Sequence, residues 1–191
     1  MIKAFVLAAV FTLSGFGVAE KVNVDTEASS VKWVGKKVTG KHNGSIALKG
    51  GRLEMEDGKL TGGLFTIDMA SIVCEDLSGG GKKKLEGHLK NADFFDVEKF
   101  PTATFVITKA VPQGPGSYKV VGNITIKGIT EEIQFPATIE EKDGKYVATA
   151  DLTIDRSKFN VQYGSGSFFD NLGDKTIYDD FELSVELVTG E

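Results

Sequence analysis

The chain has 191 residues, 41% hydrophobic and 26% charged, with 22 basic against 27 acidic side chains and a net charge of −5. That length suits one domain with a sizeable core, and an acidic chain without a long basic stretch points away from nucleic acid and anionic membrane surfaces. A lone cysteine, Cys74, leaves no internal disulfide, so packing alone must hold the fold.

Met1-Ile2-Lys3 is a short positive start, Ala4 to Val18 an apolar run, and Gly17-Val18-Ala19 a small-residue stretch ahead of the charged pair Glu20-Lys21. That order predicts a secretory signal peptide cut after Ala19. The run is too short and too glycine-broken for the roughly 20 apolar residues a membrane span needs. Residues 20–191 are therefore expected as one periplasmic or secreted domain that does not span the membrane.

Period-2 alternation recurs from Val31 to Val188 and predicts eight strands, near residues 29–38, 44–56, 59–69, 102–111, 117–127, 131–141, 144–155 and 179–188. Asp57-Gly58 and Asp143-Gly144 are two-residue hairpin joints. Ile133, Phe135, Ala137 and Ile139 share one face, as do Tyr146, Ala148, Ala150, Leu152 and Ile154, and as do Phe181, Leu183, Val185 and Leu187. Ser78 to Gly81 reads as a flexible joint, Lys82 to Lys90 as a short helix, and Asn91 to Val97 as a compact turn with two adjacent aromatics. Eight half-buried antiparallel strands either close a barrel or stack as a sandwich, and alternation does not separate the two.

The chain carries no G-x-S-x-G elbow, H-E-x-x-H pair or C-x-x-C motif. His42 and His88, grouped with Asp93 or Asp96, match no known ligand spacing, so no metal and no cofactor are expected. Gly79-Gly80-Gly81-Lys82 fails as a phosphate loop because Lys83 stands where Ser or Thr must hold magnesium. Cys74 reads as a small buried hydrophobe before it reads as a reactive thiol. Trp33, Phe65, Phe105, Phe135, Tyr146 and Phe181 fall on inward faces, and Phe159 and Tyr163 lie in the loop after Arg156. Such aromatics either fill a core or line a cavity.

The block Gly87-His88-Leu89-Lys90, Phe94-Phe95-Asp96-Val97, Pro101-Thr102-Ala103-Thr104-Phe105 resembles the YceI-like family of exported bacterial proteins. The resemblance runs through Trp33, His42-x-Gly44, Phe65-Thr66-Ile67-Asp68, Gly122 to Thr130 and Asp155-Arg156, and so spans residues 20–191. It implies an all-β fold with a short helical insertion, an eight-stranded antiparallel lipocalin-like barrel whose apolar tunnel is closed at one end by helical segments. It further implies a non-catalytic carrier or store for a polyisoprenoid or another long-chain amphiphile. By strand parity the tunnel is assigned to Trp33, Phe65, Phe105, Phe135, Tyr146, Phe159 and Phe181. Head-group contacts are assigned to Lys36, Lys37, His42 and Arg156 near strand ends, although Arg156 beside Asp155 also reads as a structural ion pair. The rival readings are an enzyme acting on a lipid head group through His42 or His88, and a structural or stress protein with a side-chain-filled barrel. Monomer and homodimer are not distinguished.

Overall fold

A computed structural model describes residues 20–190; the predicted signal peptide lies outside the described residues. In chain order the elements are β1 (Glu20–Lys37), β2 (Gly40–Ser45), β3 (Leu48–Glu56), β4 (Lys59–Asp68), β5 (Val73–Cys74), α1 (Gly79–Lys90), β6 (Thr102–Gly114), β7 (Ser117–Ile126), β8 (Ile129–Lys142), β9 (Lys145–Asp155) and β10 (Ile177–Thr189). Every pairing is antiparallel, and β1 closes the sheet by pairing with β10. The start of β1 pairs with β3 and its end with β2, so those two short strands share one place in an eight-stranded antiparallel barrel. The two-residue strand β5 adds itself to the edge of β2.

Local chemistry explains the joints. Asp57-Gly58 and Asp143-Gly144 both take positive φ at both positions, the turn that matches the twist of flanking strands. Lys127-Gly128 does the same between β7 and β8. The inward and outward faces predicted by alternation are the observed ones: Ile133, Phe135, Ala137 and Ile139 are shielded, while Glu132, Gln134, Pro136 and Thr138 are exposed.

Three expectations are corrected. β1 begins at Glu20 rather than near residue 29, because its register jumps between Asp25 and Ser30 against β10 and interrupts the alternation. Side chains stitch that bulge: Asp25 Oδ1 accepts from the Glu27 and Ala28 amides, and Ser29 Oγ donates to Asp25 O at 2.6 Å. The predicted strand over 44–56 is two strands, broken between Ser45 and Leu48. Finally, Gly79 to Gly81 is the first turn of α1 and no loose joint; Gly79, at φ +55°, starts the helix after Ser78.

α1 and the turn after it cover one end of the barrel. Leu89, Phe94 and Val97 are buried there with Trp33, Ile126 and Phe159. The far end is packed solid by Leu53, Met55, Leu60 and Tyr118, whose hydroxyl accepts from the Leu60 amide at 3.3 Å. Among the described residues no helix is long and apolar enough to cross a membrane.

Candidate functional site

Between its two packed ends the barrel is hollow. One compartment, about 140 Å³, lies under α1 and is lined by inward residues including Trp33, Ile72, Phe95 and Phe181. A second, about 120 Å³, continues toward the far end past Phe65, Phe105 and Phe135. Val31, Ile67, Ile124 and Leu183 belong to both walls, so the compartments adjoin. Most of the lining side chains come from strands around the ring, where alternation turns them inward.

The wall of the first compartment is apolar; Arg156, Tyr178 and Asp180 are the charged and hydroxyl-bearing residues that border it. There the β1–β10 register breaks between the Gly35↔Phe181 and Lys37↔Ile177 pairs, leaving β10 residues without a partner in β1. Tyr178, beside this break, is half exposed on the outer face of β10. A second seam lies between β8 and β9. Their ladder runs from Lys142↔Lys145 only as far as Thr138↔Thr149, and two residues further on is Pro136, which has no N–H to donate. Phe135, Leu152 and Leu183 line both the second compartment and the outer groove at this seam.

Arg156 is 2% exposed and held on every side. Nε donates to Tyr178 O at 3.2 Å, Nη1 to Val161 O at 2.7 Å and Nη2 to Ile177 O at 3.0 Å. Its ion-pair partner is Asp179, 3.3 Å away, while Asp155 is turned to cap the following helical turn by accepting from the Ser157 amide. The guanidinium also lies 5.4 Å over the Phe94 ring. Burial pushes its pKa down, opposed by Asp179 and Asp155. Three of five guanidinium N–H groups are thus committed to backbone carbonyls, which pins the loop after β9 to the start of β10.

The other predicted site residues distribute as follows. Trp33 and Phe181 line the first compartment; Phe65, Phe105 and Phe135 line the second, with Phe105 and Phe135 centroids 5.5 Å apart. Tyr146 packs against the far-end cluster and Phe159 is buried in the helix-end cluster, each behind the cavity wall. Burial, with Glu141 and Glu20, pushes the Tyr146 phenol up. Lys36 pairs with Glu182 on the outer surface, and Lys37 stands exposed at the register break, opposite Ile177. His42 is bonded to Asp76 through Nδ1 at 2.8 Å, and His88 lies against the Phe94 and Tyr163 rings, 4.0 Å from Asp93. Sequence reasoning missed Ile72, Phe95 and Tyr178 as lining residues: Ile72 and Phe95 sit outside any alternating run, and Tyr178 falls on the outward face of β10.

Three comparisons bear on this hollow barrel. The model of the YceI-like domain matches residues 22–189. The chain is 33% identical over 105 residues to a UPF0312 protein of Pseudomonas putida, and 38% identical over 85 residues to one of Staphylococcus aureus. These alignments cover 52% and 41% of this chain, and the chain spans about half the length of these two relatives, 50% and 47% respectively, and 26% of others such as those of Vibrio vulnificus. Among solved structures, Burkholderia cenocepacia BcnA superposes with a TM-score of 0.72 at 28% identity, covering 87% of this chain and 99% of that one. A polyisoprenoid binding domain from Saccharophagus degradans superposes with a TM-score of 0.63 over 87% of this chain and 96% of that one; its 13% identity makes the likeness one of fold.

Proposed function

We propose, from the premise that this chain belongs to the YceI-like family, that it binds the apolar chain of an amphiphilic lipid of the polyisoprenoid class and carries or stores it without chemical change. The observation that carries this reading is the hollow interior: two adjoining compartments with apolar walls and few polar neighbours. Burying a methylene is worth about 0.8 kcal/mol, so each five-carbon unit contributes roughly 3–4 kcal/mol before the costs of ordering it. An engineered cavity of about 150 Å³ admits benzene. Each compartment therefore suits one small apolar body, and only a slender, extended chain threads both. The head group belongs at the register break, beside Lys37, Tyr178 and the Arg156 rim, where solvent is within reach. The fold neighbour whose structure is that of a polyisoprenoid binding domain supports the ligand class. Export after removal of residues 1–19 is part of the same reading, since the sequence there has the order of a signal peptide.

The test is native mass spectrometry and solvent extraction of protein purified without detergent. One long-chain amphiphile per chain is expected, chemically unaltered after incubation. Protein that carries no lipid and takes up none when offered a polyprenol overturns the proposal, and turnover of the extracted lipid replaces it with the enzyme reading.

A further inference from the structure

We propose that His42, Cys74 and Asp76 form a binding site for a divalent metal ion of the zinc class, at the β2–β5 edge and outside the lipid compartments. His42 stands on β2, Cys74 on β5, and Asp76 two residues beyond it. The Gly44↔Cys74 pairing brings the three together, and one ligand atom from each lies within 4.8 Å of the other two. His42 Nδ1 is 2.8 Å from Asp76 Oδ2, and Cys74 Sγ donates to Asp76 Oδ1 at 3.1 Å.

Those spacings are close to what a single ion imposes. With metal–ligand bonds of about 2.0–2.3 Å, tetrahedral ligand atoms stand roughly 3.3–3.8 Å apart. The two hydrogen-bonded contacts must then open by about half an ångström, while the His42–Cys74 pair, within 4.8 Å, has at most about one to close. The frame behind the ligands is held: Asp76 Oδ1 accepts from the Asn43 amide at 3.0 Å, the Glu75 amide donates to Asn43 O at 2.9 Å, and the Cys74 amide donates to Glu86 Oε1 at 2.9 Å. Such outer contacts orient metal ligands.

The chemistry of the set also selects the ion. A thiolate, an imidazole and a carboxylate together offer sulfur, nitrogen and oxygen to a borderline metal, and their two negative charges balance a dication. Two nearby lysines are occupied elsewhere, Lys32 with Glu75 and Lys82 with Glu86. Cys74 is fully buried at the edge of the helix-end apolar cluster, and its Sγ donates to a carboxylate there. The His42 and Asp76 side chains are 32% and 28% exposed, so the ion enters from their side and keeps solvent as a fourth ligand. On ligation the thiol proton leaves to solvent and sulfur bonds the metal.

The experiment is titration of the purified full chain with Zn(II) by calorimetry, and with Co(II) by absorption. Expected are one ion per chain and a thiolate-to-cobalt charge-transfer band. His42→Gln and Asp76→Asn should each weaken Zn(II) binding by about 100-fold, Cys74→Ser should abolish the cobalt band, and His88→Gln should leave both unchanged. No uptake of Zn(II) or Co(II) by the wild-type chain overturns the proposal, as does uptake without a thiolate band. Uptake that His42→Gln leaves unaltered overturns it too. His42 is partly exposed, so its variant and the wild-type spectrum decide the matter even if Cys74→Ser fails to fold. Lipid content plays no part in these readouts.

Discussion

Phe135 is the residue on which the cavity can be tested most directly. It lies between the Phe105 ring and the β8–β9 seam, with Gln134 beside it on the opposite face. Phe135→Asp puts an unpaired carboxylate among apolar walls and should cost about 3 kcal/mol or more, with loss of bound lipid. Phe135→Leu keeps an apolar side chain of smaller size and should alter lipid affinity more than the thermal melt. Gln134→Asp faces solvent and should stay within about 0.5 kcal/mol of wild type. Lipid retained per mole of protein, read beside a melt for each variant, checks all three. Equal lipid content in the four proteins would remove Phe135 from the site. Arg156 makes the opposite case, a charged side chain whose work is structural. Arg156→Met strands the carbonyls of Val161, Ile177 and Tyr178 and leaves Asp179 without its cation. A destabilisation of about 3–5 kcal/mol is expected in urea unfolding. Lysine restores the charge but not a fork reaching three carbonyls, so Arg156→Lys should recover only part of the loss.

At the scale of elements, the short pairing of β5 with β2 depends on Gly44. A Cβ there would lie 1.9 Å from Val73 O and 2.8 Å from the Trp33 ring, so β5 could not approach. Gly44→Ala should therefore cost about 1–3 kcal/mol or more, the usual range for overpacking, and part the His42–Cys74–Asp76 cluster. Gly35→Ala is the matched control: its Cβ meets nothing within 4 Å, because Gly35 borders the first compartment. Chemical denaturation of the two variants separates them, and equal stabilities would show that β5 yields without cost. The same scale shows why some elements were legible in the sequence and others were not. The hairpins at Asp57-Gly58 and Asp143-Gly144 are local chemistry, readable from two residues. The start of β1 was hidden because a bulge over Asp25 to Ser30 shifts its alternation out of phase. The first turn of α1 was hidden because three glycines carry no helix preference of their own.

For the whole molecule, closure depends on contacts between the two ends of the described chain, since Val24 of β1 pairs with Thr189 of β10. The described part of β1 begins at Glu20, next to the predicted cut, so cleavage there would leave it whole. N-terminal sequencing of protein recovered from the periplasm or medium should find Glu20 first; a membrane-embedded product that begins at Met1 would contradict this. Most strand positions, the inward faces, the hairpin joints and the presence of a helical cover were determined by the sequence itself, because alternation and turn chemistry act between near neighbours. The block from Gly87 to Phe105 added the family, and with it the choice of barrel over sandwich. Tertiary structure alone decided that the interior is hollow, since an unfilled volume is what remains after side chains from eight strands have met. It alone showed Arg156 gripping carbonyls at residues 161, 177 and 178, and brought His42 beside Asp76 across 34 residues of chain. Periodicity shows which way a side chain faces; what it meets there depends on chain that is distant in sequence and adjacent only once the barrel has closed.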